Sequence, residues 1–181
     1  MTSTNNALAA DISCPIVSNT NNCNGTNNDD KMDGTSERDN MRGLGGDDKM
    51  YGNGGDDDMN GNGGSNKMYG GVGNDRMDGG VGEAKMYGGV GNDNMQGSNV
   101  KDKIYGEAGN DFIEGLLGGD KIYGGPGNDR IFHDIIPDDG GGTEPDGAKD
   151  EIDCGLGTDV VEINTSEDGD TAINCETVNR G

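Results

Sequence analysis

From residue 25 to residue 132 one large apolar side chain recurs at every ninth position, and nearly everything between is polar or glycine. Methionine holds that place from Met32 to Met95, and Ile104, Ile113, Ile122 and Ile131 hold it afterwards. The segment divides into twelve nine-residue blocks in unbroken phase, from GTNNDDKMD (25–33) to GGPGNDRIF (124–132). Glycine opens every block, and the sixth place is Asp in ten of the twelve, with Asn66 and Ala84 as exceptions. Six residues rich in Gly, Asn and Asp predict a tight turn, because glycine reaches positive φ at little steric cost. The last three residues predict a short strand, whose eighth-place residue faces one way while the seventh and ninth face the other. The glycine density excludes helix. One inward side chain per block makes no core alone. Stacked blocks do, with Met over Met and Ile over Ile.

The blocks differ by parity. Odd blocks carry Lys31, Lys49, Lys67, Lys85, Lys103 and Lys121 at the seventh place and, from the third block on, Tyr51, Tyr69, Tyr87, Tyr105 and Tyr123 at the ninth. Even blocks show no such columns. The structural period is therefore eighteen: two blocks make one coil, with odd strands on one sheet and even strands on the other. At a strand spacing of about 4.8 Å, six coils span roughly 25 to 30 Å.

Beyond Phe132 comes HDIIPDDGGGTE (133–144), and then two weaker blocks, PDGAKDEID (145–153) and CGLGTDVVE (154–162), with Asp150 and Asp159 at the sixth place. The expected organisation is an N-terminal segment and disulfide cap (1–24), the twelve repeats (25–132), a loop (133–144), and degenerate repeats with a C-terminal disulfide cap (145–181). The final stretch reads as a strand, a turn at Asp168-Gly-Asp170, and one last strand tied back through Cys175. The first two blocks lack glycine at the fourth place (Asn28, Glu37), and are expected to belong to the N-terminal cap.

Composition sharpens this picture. Apolar residues are 28 % of the 181, aromatics 4 %, and the formal charge is −22. Such a chain lacks material for an ordinary core, and by itself reads as disordered in plain buffer. It needs something from outside to neutralise the charge and hold the backbone. The acidity argues against nucleic acid and anionic membranes, and no stretch is long and apolar enough to span a bilayer. The four cysteines stand as one pair near each end, with one histidine and no CxxC, so zinc is disfavoured. Two local disulfides, Cys14–Cys23 and Cys154–Cys175, are the better reading over four unpaired thiols, and they imply an oxidising, extracellular compartment. The ALAA stretch at 7–10 looks like the small-residue end of a secretory signal whose basic and hydrophobic parts are missing, as in a chain that starts part-way through a precursor. Two triplets fit the glycosylation pattern, at Asn24 and Asn164, as Asn-rich chains do by chance.

The blocks resemble the RTX (repeats-in-toxin, hemolysin-type) family, whose nonapeptide is G-G-x-G-x-D-x-U-x with U large and apolar. GGVGNDRMD, GGVGNDNMQ and GGPGNDRIF match at every defined place. The resemblance implies a right-handed parallel β-roll that folds when Ca²⁺ arrives, with ions held in the turns by Asp carboxylates and backbone carbonyls. Calcium is a hard cation that takes six to eight oxygens, which glycine turns and carboxylates supply. Up to about ten ions would bring about +20 against the chain's negative charge. The expected ligands are Asp39, Asp57, Asp75, Asp93, Asp111 and Asp129 on the even side, as a near-complete row. Asp30, Asp48, Asp102 and Asp120 form a partial row on the odd side, where Ala84 offers no ligand and Val100-Lys101 disturbs the ninth block.

No catalytic constellation stands out. His133 is the only histidine and is expected in a turn or loop, HExxH is absent, and the glycine turns lack the Lys-Ser/Thr of a phosphate loop. An EF-hand-like DxDxNG at 56–61 lacks the closing Glu and is an accident of the repeat. The Lys and Tyr columns read first as packing, rings on rings and Lys stems over apolar surface, and second as a docking face for glycan, protein or another copy. The expected function is a secreted, non-enzymatic, calcium-binding β-roll with a structural or adhesive role at the cell surface. The alternatives are an export and folding module cut from a larger secreted enzyme or toxin, and a subunit of a self-assembling filament.

Overall fold

The computed structural model describes residues 9–14, 21–133, 148–163 and 170–180, Arg180 by its backbone alone. Among the described residues eighteen short strands make two sheets of nine, consecutive strands alternating between the sheets. One sheet stacks β1 (Asp11–Ser13), β3 (Lys31–Asp33), β5 (Lys49–Gly54), β7 (Asn66–Val72), β9 (Ala84–Val90), β11 (Lys103–Ala108), β13 (Lys121–Pro126), β15 (Glu151–Leu156) and β17 (Thr171–Ile173) in that order. The other stacks β2 (Asn21–Asn24), β4 (Asp39–Arg42), β6 (Asp58–Asn60), β8 (Arg76–Asp78), β10 (Asn94–Ser98), β12 (Phe112–Leu116), β14 (Arg130–His133), β16 (Val160–Ile163) and β18 (Thr177–Arg180). The result is a parallel β-solenoid, the architecture that the period of eighteen implies.

Register follows the repeat. Met50 pairs with Met68 and Met68 with Met86, eighteen residues apart, and Lys over Lys and Tyr over Tyr follow on the same strands. Lys121 pairs with Glu151, an offset of thirty, and the extra length falls between His133 and Ala148, largely outside the described residues. Every eighth-place Met and Ile from Met32 to Ile131 is 0 to 1 % exposed. They form two facing columns, one from each sheet, and this double file is the core. Methionine suits it, because an unbranched thioether fills irregular gaps between identical neighbours.

The fourth-place glycine has a steric cause. At Gly73, Gly91, Gly109 and Gly127 the backbone has φ between +143° and +156°. A Cβ at each would run into the fourth-place carbonyl of the preceding coil, for instance Gly91 into Gly73 and Gly109 into Gly91. No L side chain satisfies both conditions.

The ends differ from the sequence expectation in two respects. Blocks one and two are ordinary rungs, with Met32 and Met41 fully buried. The cap is the coil outside them, where β1 and β2 carry the Cys14–Cys23 disulfide (Cα–Cα 5.1 Å). At the other end two strands, β17 and β18, finish one coil more, and Cys154–Cys175 joins it to the roll (Cα–Cα 5.2 Å). Their offsets of twenty and seventeen residues break the nonapeptide phase, which hid the second strand in the sequence. The turn expected at Asp168–Asp170 falls mostly outside the described residues.

The outer face of the odd sheet carries the Tyr51, Tyr69, Tyr87, Tyr105 and Tyr123 rings stacked at centroid separations of 4.8 to 4.9 Å and nearly parallel. Lys49, Lys67 and Lys85 lie over their own coil's ring at 5.1 to 5.4 Å, so ring faces absorb part of the like-charge repulsion. Lys31 pairs with Asp33, and Lys121 with Glu151.

Candidate metal centre

The sixth-place residue lies two positions before the buried Met or Ile, so in the pleat it faces the same way, into the roll. The structure buries every sixth-place Asp from Asp30 to Asp159 to 3 % exposure or less. Buried carboxylates need donors, and one oxygen of each except Asp39 finds one in the neighbouring coil. On the even side the Asp39 N–H donates to Asp57 Oδ1, Asp57 to Asp75, Asp75 to Asp93 and Asp93 to Asp111, each at 2.8 Å. Asp111 then donates to Asp129 at 2.9 Å, Asp129 to Asp159 at 2.8 Å, and Asp159 to Glu176 Oε2 at 2.7 Å. This is an unbroken amide-to-carboxylate rail along the turns.

The odd side has a similar rail with one break. Ala10, Asp30 and Asp48 donate to Asp30, Asp48 and Asn66 in turn at 2.8 to 3.0 Å. The next acceptor is missing at Ala84, and the Asn66 N–H turns to the Glu83 carbonyl at 3.0 Å. The rail resumes from Ala84 to Asp102 (2.6 Å), Asp120 (2.8 Å) and Asp150 (2.6 Å), and ends on Asp170 (3.1 Å). Asp170 and Glu176 end the rails out of phase with the repeat, so nothing in the nonapeptide marks them. A second, exposed rail of fifth-place side chains runs the other way on the even side. The Asn74, Asn92, Asn110 and Asn128 amides donate to Asp56, Asn74, Asn92 and Asn110 at 2.7 to 2.9 Å.

The second carboxylate oxygen separates the rows. In Asp57, Asp75, Asp93, Asp111, Asp129 and Asp159 on the even side, and Asp48 on the odd side, Oδ2 is buried and meets no hydrogen-bond donor. Apart from Asp159, whose block opens with Cys154, each of these oxygens packs over the first-place glycine of its own block, together with a carbonyl of the next coil. A Cβ on Gly70 would strike both Asp75 Oδ2 and the Gly88 oxygen, and Gly88 relates likewise to Asp93 and Gly106. In these turns glycine is required at the first place because oxygens fill the space a side chain would take. Three turns answer the second oxygen from within, through Thr or Ser at the second place. Thr26 N–H donates to Asp30 Oδ2 (2.5 Å), Thr35 N–H to Asp39 Oδ2 (2.6 Å), and Ser98 N–H and hydroxyl to Asp102 Oδ2 (2.5 and 3.0 Å). Asp39 keeps its Oδ1 without a donor.

Burial, aided by neighbouring carboxylates, pushes Asp57, Asp93 and Asp129 up to about 7 and Asp48 up to about 6. Asp75 and Asp111 move upward for the same first reason, burial. A carboxylate oxygen kept from water with no donor is costly. Oxygens of this kind beside glycine carbonyls are a donor set that fits a hard divalent cation.

His133 departs from expectation. It ends β14 and is 1 % exposed, inside the roll. It stands in register with the first-place Gly115 of the previous coil, since Glu114 pairs with Phe132. The bare face of Gly115 leaves room for its imidazole. Nε2 lies 3.0 Å from Asp120 Oδ2 and Nδ1 3.1 Å from Asp150 Oδ2. The sequence reading missed this because a residue replacing a turn glycine looks like loop until the glycine column is seen to border the interior.

Four matches to the model of the RTX calcium-binding nonapeptide repeat cover residues 24–59, 51–83, 87–121 and 105–134, more than half of the chain. No curated protein matches the chain. The matched repeat binds Ca²⁺, is typically non-catalytic, and is typical of secreted proteins, a setting with which two disulfides are consistent. By its glycine columns, its rails of buried aspartates and this match, the chain belongs to the RTX calcium-binding nonapeptide repeat family and is a calcium-binding β-roll domain.

Proposed function

We propose that this roll folds as it takes up calcium and serves as a secreted structural or adhesive element at a cell surface. The observation that carries the reading is the row of buried carboxylate oxygens at Asp57, Asp75, Asp93, Asp111 and Asp129, none met by a donor. Calcium supplies the positive charge that lets these groups stay ionised inside the turns. The residues do the rest. Oδ1 locks each turn to its neighbour's amide, Oδ2 faces the ion position, and the first-place glycine keeps that position open to carbonyl oxygen. Asp48 and Asp39 join the set through their unmet oxygens, whereas Asp30 and Asp102 are already held by their own Thr or Ser. Without the ion, a chain of charge −22 has too little apolar surface to offset its self-repulsion. A structural or adhesive role suits a stiff rod with capped ends and a flat, regular Tyr and Lys face. The test is a calorimetric Ca²⁺ titration followed by circular dichroism on the full chain, starting from EGTA. Strand signal rising in step with bound ion supports the reading. A full strand signal in excess EGTA overturns it.

A further inference from the structure

We infer that the His133 side chain fills the step between Asp120 and Asp150 in place of a calcium ion. The inference rests on the calcium reading for its meaning and on the geometry of one residue for its substance. In the odd turns from Gly25 to Gly97 the first place is glycine; oxygens of the sixth-place carboxylate and of the next coil shape the space over Gly25, Gly43 and Gly97, while Asn66 Nδ2 and Ala84 Cβ stand nearest over Gly61 and Gly79. A Cβ on Gly97, for example, would meet Asp102 Oδ2 and the Gly115 carbonyl, each at 2.6 Å. Over Gly115 the pattern changes. The nearest atoms are His133 Cδ2 at 2.5 Å and Asp120 Oδ2 at 2.8 Å, followed by a methyl carbon of Ile122 at 3.0 Å. A ring carbon and a methyl lie closer to this position than any carbonyl oxygen. The donor set for a calcium ion is therefore broken at this step, and an imidazole stands in it.

That imidazole bridges. Nε2 faces Asp120 and Nδ1 faces Asp150, the sixth-place carboxylates of successive odd turns, at 3.0 and 3.1 Å. Both carboxylates also accept a rail amide on Oδ1. Nε2 makes a hydrogen bond with Asp120 Oδ2, while Nδ1 approaches Asp150 Oδ2 closely without hydrogen-bond alignment, so the ring answers the Asp120 oxygen that would otherwise face an ion. The imidazole then lies between two buried carboxylates, where the calcium reading puts an ion elsewhere in the roll. The position suits the need, because this step is where the register jumps by thirty residues.

His133 is the chain's only histidine, so its ring signals in nitrogen NMR are assigned without ambiguity. In the calcium-loaded full chain, these signals are expected to stay in place when more Ca²⁺ or Zn²⁺ is added, because the ring fills the step without bonding a metal. A ring shift on adding Ca²⁺ or Zn²⁺ that marks a metal bond overturns the inference. The His133→Gly variant restores the family's glycine and is expected to bind one more Ca²⁺ than the parent, with His133→Gln gaining none. An unchanged ion count in a folded His133→Gly variant also overturns it. If the parent chain binds no calcium at all, the calcium reading fails by itself, while the ring signals still decide the role of His133.

Discussion

The backbone amide of Asp75 donates to the carboxylate of Asp93 across 2.8 Å, although eighteen residues of chain separate them. The same carboxylate leaves its Oδ2 buried without a donor. One side chain thus performs two tasks, tying coil to coil and presenting negative charge, and substitutions can separate them.

Asp93→Asn keeps an acceptor for the Asp75 amide and removes the charge. Calorimetry is expected to show at least one Ca²⁺ fewer and a higher calcium midpoint for folding. Asp93→Ala also strands the Asp75 amide, and denaturant unfolding in calcium should show a further loss of about 1–3 kcal/mol. Equal behaviour of the two variants would contradict the division of labour between the oxygens.

Ala84→Asp should mend the odd rail. The Asn66 amide, now turned to the Glu83 carbonyl, would regain a carboxylate acceptor, and the turn a ligand. The expected result is close to one additional ion by calorimetric titration with the fold retained. No gain would show that the break at Ala84 is unrelated to ion binding.

Acidity should act oppositely on the metal-free and metal-bound chains. Asp57, Asp93 and Asp129 are pushed up to about 7 in the folded state, first by burial, while unfolded Asp titrates near 3.9. Between those values the folded chain binds more protons. Stability without calcium therefore falls as pH rises from about 4 to about 7. Protons compete with the ion over the same range, so calcium affinity should drop below about pH 7 and binding there should release protons. Circular dichroism in EGTA across this range, and titrations in buffers of differing ionisation heat, check both signs.

The two kinds of turn position should respond differently to mutation. Gly109 has φ +153° and faces the Gly91 carbonyl, so Gly109→Ala should cost at least about 3 kcal/mol in thermal or denaturant unfolding. Glu107 stands two residues earlier at φ +71°. Glu107→Gly relieves left-handed strain at some entropic cost, and should leave stability unchanged or raised by up to about 1 kcal/mol.

Reducing both disulfides should fray the ends before the middle, since each cap carries the unpaired edge of two sheets. Hydrogen exchange in calcium should speed up in β1, β2, β17 and β18 while β7 to β12 stay protected. Uniform loss would mean that the roll unfolds as one unit.

The ninefold spacing of Met and Ile, together with the alternation of Lys and Tyr, was enough to place strands on two sheets, set the eighteen-residue register and name the core. A solenoid makes this possible because each residue's neighbour above and below is its own counterpart in the repeat, so column and contact are the same thing. What broke the period stayed hidden. His133 looked like loop, Asp170 and Glu176 carried no phase, and nothing in the repeat showed that Thr26, Thr35 and Ser98 satisfy their own turns. Only the folded coil shows that the first glycine borders the interior and that one carboxylate oxygen is spent on the next coil's amide. Those facts depend on which atoms meet across eighteen, thirty or twenty residues, and distances of that kind are set by stacking, after the chain has closed on itself.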